Sequence, residues 1–248
     1  MQLFWIKLYA SKQKNMPNKL AVKILTLFPE LFPGPLGCSI IGRALDQKIW
    51  SLEAINIRDF ATDKHKTVDA PPIGGGGGMI LRADIMAAAL EYAMGGADDY
   101  HIIYMSPRGK KLNQRVCEKI VTEKHKLIVI CGRFEGLDQR FIDHYNVNEI
   151  SIGDYVLTGG EIAAYALLDS CVRILPGVLS DANVFAEESF GHNPAYHNLL
   201  EYPQYTKPLN WQGHPVPEIL LSGNHEKIAA WKLEQAKAYT RKQRPDLG

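Results

Sequence analysis

Ser151-Ile-Gly-Asp-Tyr-Val-Leu-Thr-Gly-Gly-Glu161 leaves an apolar, strand-like run and enters a second apolar run, Glu161-Ile-Ala-Ala-Tyr-Ala-Leu-Leu-Asp-Ser-Cys-Val-Arg173, with helical character. Gly153, Gly159 and Gly160 lift the steric limits on φ and let the backbone approach a ligand or another segment closely. The first amides of the following helix face the same loop, an arrangement that can hold a bound polar group. An ordinary strand-to-helix turn has the same composition, so taken alone the segment leaves both readings open.

Two other stretches share this layout, an apolar strand ending in a small or polar turn: His101-Ile-Ile-Tyr-Met-Ser-Pro-Arg-Gly-Lys-Lys111 and Leu127-Ile-Val-Ile-Cys-Gly-Arg-Phe-Glu-Gly136. In a parallel α/β sheet, loops at the carboxyl ends of neighbouring strands converge on one crevice. Three such loops predict one pocket.

Outward from these loops the pattern alternates. A strand is expected from Val22 to Phe28, stopped by Pro29; a helix over Ile40 to Lys48; and a strand over Leu52 to Ile57. Asp84 is expected to cap a helix running to Met94, and Asn113 one running to His125, with strands at His101 to Met105 and Leu127 to Cys131. A helix over Leu137 to Tyr145 and a strand over Asn148 to Ile152 complete the alternation. The fold class is α/β with a mostly parallel sheet, and pattern alone predicts an open, unknotted one.

The 248 residues can bury one large core with a smaller appendage. With a net charge of +1, nucleic-acid binding has to come from local clusters. Lys64-His-Lys66, Arg108-Gly-Lys-Lys111 and Arg241-Lys-Gln-Arg244 are candidates, although a basic run is commonly just a solvated face. Cys38, Cys117, Cys131 and Cys171 have no C-x-x-C spacing, which points to reduced, mostly buried thiols in a cytoplasmic protein and away from a disulfide framework or a cysteine metal site. The amino-terminal residues place apolar side chains before basic ones, the reverse of a secretory signal.

Residues 60 to 79 form a charged, then proline-rich, then glycine-rich loop that is either a flexible connection or a lid that orders when a ligand arrives. Gly74 to Gly78 lack the Lys-Ser/Thr of a P-loop, and no strand leads directly into them as the dinucleotide fingerprint requires, so a nucleotide-hydrolysing enzyme is a poor fit. Past Pro176 the sequence is loop-like through Asn193-Pro194 and Tyr202-Pro203. A small helical segment follows, with Asn224 as cap, Ile228, Trp231, Gln235 and Tyr239 along one stripe, and Lys227, Lys237, Arg241 and Arg244 adding charge suited to phosphates.

The chain resembles the bacterial tRNA (guanine-37-N1)-methyltransferase family of the SPOUT class. The resemblance rests on Leu27-Phe-Pro-Glu30, His65-Lys-Thr-Val-Asp69, Gly74 to Met79, Tyr104-Met-Ser-Pro107, Cys131-Gly-Arg-Phe-Glu-Gly136, Ser151 to Glu161, Pro176-Gly-Val-Leu179 and Leu220-Leu-Ser-Gly-Asn-His225, in that order over roughly residues 20 to 245. It implies a deep trefoil knot and a small α-helical carboxyl-terminal domain. The domains it implies are an extension at 1–18, a cofactor-binding and catalytic domain at 19–178, an interdomain linker at 179–200 and a tRNA-binding domain at 201–248.

For the site, the resemblance implies S-adenosyl-methionine held by Tyr104, Met105, Ser106 and Pro107, by Gly132, Arg133, Glu135 and Gly136, and by Ser151, Ile152, Gly153, Asp154, Tyr155, Val156, Leu157, Gly159 and Gly160. It places Glu188 as general base and Arg173 as the group that stabilises charge on the guanine O6. The family more often has aspartate at the Glu188 position; Ser189-Phe190 directly after it and Pro176 to Leu179 upstream select Glu188 over Glu187. Glu135, with Gly78 and Met79, is implied to bind the target guanine; an ion pair of Glu135 with Arg133 or Arg140 is the structural alternative. Asp169 reads as an i,i+4 partner of Arg173.

The resemblance further implies a homodimer with shared active sites, a tRNA carrying G37 as substrate, and a Mg²⁺ requirement, although the sequence has no dedicated ligand cluster. A SPOUT enzyme with another RNA target and a non-catalytic RNA-binding module are the rival readings.

Overall fold

The computed structural model describes residues 20–179, 184–191 and 193–247. The extension expected at 1–18 lies outside the described residues. The chain divides into two compact units, whose described parts are residues 20–179 and residues 184–247.

The larger unit is built on five strands: β1 (Leu20–Thr26), β2 (Trp50–Asn56), β5 (His101–Lys111), β6 (Lys126–Cys131) and β7 (Asn148–Ser151), with the two-residue strands β3 (Asp69–Ala70) and β4 (Ile80–Leu81) forming a separate antiparallel pair. The order across the sheet is β2-β1-β6-β5-β7, and every neighbouring pair is parallel. Helices α1 (Ser39–Asp46), α2 (Ala83–Met94), α3 (Gln114–Glu123), α4 (Gln139–His144) and α5 (Glu161–Val172) connect or flank the strands. The expected α/β class and parallel sheet are thus present.

β6 explains the layering. From Leu127 to Cys131 it is buried at every position, as a strand covered on both faces must be. Ile128 and Ile130 join Leu25, Leu81, Met86, Leu90 and Phe141 in one cluster under α2 and α4. The alternate residues Leu127, Val129 and Cys131 point to the opposite face, where α5 packs against β6 and α3.

The structure corrects three readings. Asp84 does not cap α2: Arg82 occupies that position without a side-chain cap, and Asp84 instead accepts from Arg82 Nε at 3.1 Å and Nη2 at 2.6 Å. The planar guanidinium fork two residues away outcompetes single backbone amides for that carboxylate, and it holds the Asp84 carboxyl below its ordinary range. The strand expected to end at Met105 continues to Lys111, because the chain bulges after Met105 and resumes pairing at Lys110, both residues facing Ile150. Asn113, by contrast, caps α3 as expected, its side chain accepting from Val116 N at 3.0 Å.

The third correction lies in the smaller unit, which contains α6 (Val184–Glu187), a hairpin of β8 (Asn210–Trp211) and β9 (His214–Pro215), α7 (Glu218–Leu221) and α8 (His225–Gln243). Asn224 caps α8 through Lys227 N at 3.1 Å, as expected. Of the expected stripe, Ile228, Trp231 and Gln235 are half-buried and Tyr239 is exposed; the fully buried residues of α8 are Ala236 and Thr240, with Leu233 partly buried beside them, facing Tyr196, Leu199 and Tyr202. Small residues take the fully buried positions because the two tyrosines fill the space beside them. Thr240 fastens the seam by accepting from Leu200 N and donating to the Ala236 carbonyl. All four cysteines are free; Cys117, Cys131 and Cys171 are buried and Cys38 is exposed.

Candidate functional site

The bulge in β5 and the carboxyl ends of β6 and β7 open onto a cleft of about 280 Å³. The three turns singled out in the sequence form its walls: Tyr104 to Arg108, Gly132 to Leu137, and Ser151 to Gly160 with Asp154 turned away. Asp154 faces solvent and pairs with Lys111 at 3.3 Å. Every other residue expected to hold the cofactor lines the cleft.

Each wall has a local cause. The first is the bulge in β5: Ser106 Oγ donates to Glu149 Oε1 at 2.9 Å and accepts from Arg108 N at 3.2 Å, which folds residues 106 to 109 over β7. Burial, reinforced by the Glu149 charge, pushes the Tyr104 hydroxyl up to about 12, so it remains a protonated phenol in neutral solution. The second wall turns through Phe134, a non-glycine residue at φ 58°, and Gly136 at φ 109°. A left-handed phenylalanine costs free energy that its surroundings must offset, and such residues gather at ligand sites.

The third wall locks onto the second. Gly160 N donates to the Gly132 carbonyl at 2.9 Å, and a Cβ on Gly160 would sit 2.8 Å from Cys131 Cα. Behind the contact lies a polar group that sequence reading did not find. The buried Glu161 carboxylate pairs with Arg133 Nη2 at 2.9 Å and accepts from Thr26 Oγ1, itself fully buried, at 2.8 Å. Arg133 also donates to the Thr158 carbonyl at 3.3 Å and lies over the Phe28 ring at 4.4 Å. No local signal marks this group, since a glutamate after two glycines reads simply as the start of a helix.

Lining residues outside the quoted turns escaped the sequence reading: Leu137, Ile142, Ile150 and Ala163. The inward parity of Ile150 on β7 was available from strand alternation; the remainder depend on how separate elements meet.

The three residues expected at the target guanine come together. Glu135 N donates to the Met79 carbonyl at 2.8 Å, and the Glu135 side chain sits against Gly78, where a Cβ would lie 2.4 Å from its Cγ. Glu135 is exposed. The arginines proposed as its structural partners are engaged elsewhere, Arg133 with Glu161 and Arg140 with Asp138.

Arg173 and Glu188 are placed differently. Arg173 is the half-buried carboxyl-terminal cap of α5 and does not line the cleft; Asp169, one turn earlier, is exposed. Glu188 belongs to the smaller unit and is half-buried there. Its neighbour Glu187 is held by Lys232 at 3.3 Å and by the Tyr202 hydroxyl at 3.1 Å. Among the described residues, no group of three or more His, Cys, Asp or Glu side chains is placed to hold a metal ion, and no helix is long and apolar enough to cross a membrane.

Comparison with known proteins agrees with this geometry. The family model described as tRNA (Guanine-1)-methyltransferase TrmD matches residues 20–248. A tRNA (guanine-N(1)-)-methyltransferase of Rhodopseudomonas palustris is 56% identical over 224 residues, 90% of this chain and 88% of the relative. Proteins with the same description from Ehrlichia canis and Jannaschia sp. are 51% and 52% identical, over 92% and 96% of this chain and 95% of each relative. With matches of this length covering all three cleft-forming turns, the chain belongs to the tRNA (Guanine-1)-methyltransferase family.

Proposed function

We propose that the chain transfers a methyl group from S-adenosyl-methionine to N1 of guanine 37 in tRNA, beside the anticodon, in the cytoplasm. The observation that carries this reading is the convergence of the β5 bulge and the ends of β6 and β7 on one cleft. The residues fit such a ligand. Leu137, Ile142 and Ile150 offer apolar surface for an adenine ring, while Gly132 and Gly160 leave backbone groups close to the ligand position. A trefoil knot is part of the proposal, supported by the way α5 follows the 151–160 turn and carries Glu161 back to Thr26 on β1.

When bound, S-adenosyl-methionine supplies a methyl group on a sulfonium, which leaves as a neutral thioether. The chain's own residues prepare the acceptor. Guanine N1 is protonated at neutral pH, so Glu188 removes that proton as the nitrogen lone pair forms the new bond to carbon. Arg173 stabilises the charge that develops on O6, and Glu135, next to Gly78 and Met79, accepts from donors on the guanine's Watson–Crick edge after the base leaves its stack. Glu188 is taken as the base over Glu187 because Ser189-Phe190 follows it directly.

A homodimer with shared sites is also proposed. Arg173 follows the last lining residue of α5, Ala163, by ten positions, so at about 1.5 Å of rise per residue it lies about 15 Å along the helix from the cleft. That distance favours Arg173 serving the cleft of a second copy. Basic residues of α8 suit the tRNA phosphates, and Mg²⁺ is proposed to arrive with the tRNA.

The test is transfer of labelled methyl to transcripts carrying G37 or A37, with and without Mg²⁺, by wild type and by Glu188→Gln. Label on the G37 transcript alone, reduced by about a hundredfold or more in Glu188→Gln with cofactor binding retained, supports the assignment. Cofactor binding with no label on either transcript sinks the proposed target and favours a different RNA.

A further inference from the structure

We infer that Glu161 is a positioning residue for the cleft: by joining Thr26 and Arg133 it fixes the second and third walls to β1, so the cofactor meets a preformed site. This rests on the reading of the cleft as the S-adenosyl-methionine site. Glu161 is 2% exposed at the first position of α5, where the helix dipole favours a negative charge. Its Oε1 accepts from Thr26 Oγ1 at 2.8 Å and from Arg133 Nε at 3.3 Å, and its Oε2 meets Arg133 Nη2 at 2.9 Å.

The Thr26 hydroxyl is directed by its other contact. It accepts from Phe28 N at 3.0 Å, which leaves its single proton for Glu161. Arg133 is then held on three sides, by the carboxylate, by the Thr158 carbonyl and by the Phe28 ring. Thr158 and Arg133 belong to different walls of the cleft. The fit leaves no slack: a Cβ on Gly159 would lie 2.3 Å from Arg133 Nε and 2.6 Å from Glu161 Oε2. One buried carboxylate therefore sets the spacing of the two loops.

A partner that only stabilised the fold would change stability and leave the cleft as it was. A positioning residue changes how much ordering the ligand must drive, and so its affinity. The measurement compares full-length wild type, Glu161→Gln, Thr26→Val and Thr26→Ser in two ways: calorimetric titration with S-adenosyl-homocysteine, and hydrogen exchange of residues 157–161 without ligand. KM for S-adenosyl-methionine and kcat on a G37 transcript accompany them.

Glu161→Gln is expected to bind about tenfold more weakly, to exchange faster at 157–161, and to show a larger rise in KM than fall in kcat. Thr26→Val should move in the same direction by less, with Thr26→Ser restoring wild-type behaviour. Wild-type binding and exchange in both Glu161→Gln and Thr26→Val, or a loss confined to kcat, overturns the inference. If Glu161→Gln does not fold, the two Thr26 variants decide alone. If wild type binds neither the cofactor nor its product, the reading of the cleft falls and takes this inference with it. Normal wild-type binding with unaltered variants removes the inference only.

Discussion

The chain has two glycine-rich segments, 74–78 and 153–160, which look alike in sequence and behave differently in the structure. At Gly74, Gly75 and Gly77 an added Cβ would meet nothing within 4 Å, and neighbouring Ile73 is 99% exposed. At Gly159 and Gly160 it would strike the Arg133 guanidinium and the Cys131 backbone. The first segment uses glycine for freedom, the second for close packing. Only the far end of the first run, Gly78 against Glu135, has the character of the second. A glycine run therefore does not by itself mark a rigid site; what stands next to each missing side chain decides.

Four substitutions grade this difference. Arg133→Ala leaves the buried Glu161 charge without its cation, for which about 3–5 kcal/mol of destabilisation is expected, read as a fall in the denaturation midpoint together with lost cofactor binding. Gly160→Ala forces a methyl group against backbone that cannot turn aside, costing about 1–3 kcal/mol; urea titration and ligand binding should both register it. Gly78→Ala, at φ 80°, strains the backbone by about 1–2 kcal/mol. It also displaces Glu135, so KM for tRNA should rise more than KM for the cofactor. Gly77→Ala lies outside the left-handed region in open space and should be neutral or stabilising by up to about 1 kcal/mol through the unfolded chain. A Gly77→Ala variant as damaged as Gly160→Ala would erase the distinction between the two segments.

Much of the larger unit could be read from hydrophobic periodicity. β6, buried on both faces, and α3, capped by Asn113, sit within a residue or two of their expected bounds. Strand order was not legible, because pairing between distant strands leaves no periodic trace: nothing local to β6 says that β1 and β5 flank it. The β5 extension was hidden by Pro107, a residue that normally argues against a strand interior and here sits in a bulge. On α8, the stripe of Ile228, Trp231, Gln235 and Tyr239 is half-buried except at Tyr239, while the fully buried positions go to Ala236 and Thr240, because Tyr196 and Tyr202 supply the bulk there.

The cleft shows the same division. Its three walls follow from a general property of parallel sheets applied to strand ends visible in the sequence. The group behind them does not. Thr26, Arg133 and Glu161 come from three separate elements, and the sequence offered Glu135 as the acidic partner of Arg133. Burial and the guanidinium fork geometry chose Glu161.

The order β2-β1-β6-β5-β7 also has a consequence for how the protein is made. All four neighbouring pairs are parallel, so none can close through a tight turn as it leaves the ribosome. β1 can pair with β2 early, but its other neighbour appears only after the chain from Ile57 to Lys126 has been synthesised. At about 5–20 residues per second, the nascent sheet carries an unpaired apolar edge for several seconds. A chaperone that shields strand edges during that interval should raise the soluble yield more than one acting on the completed chain.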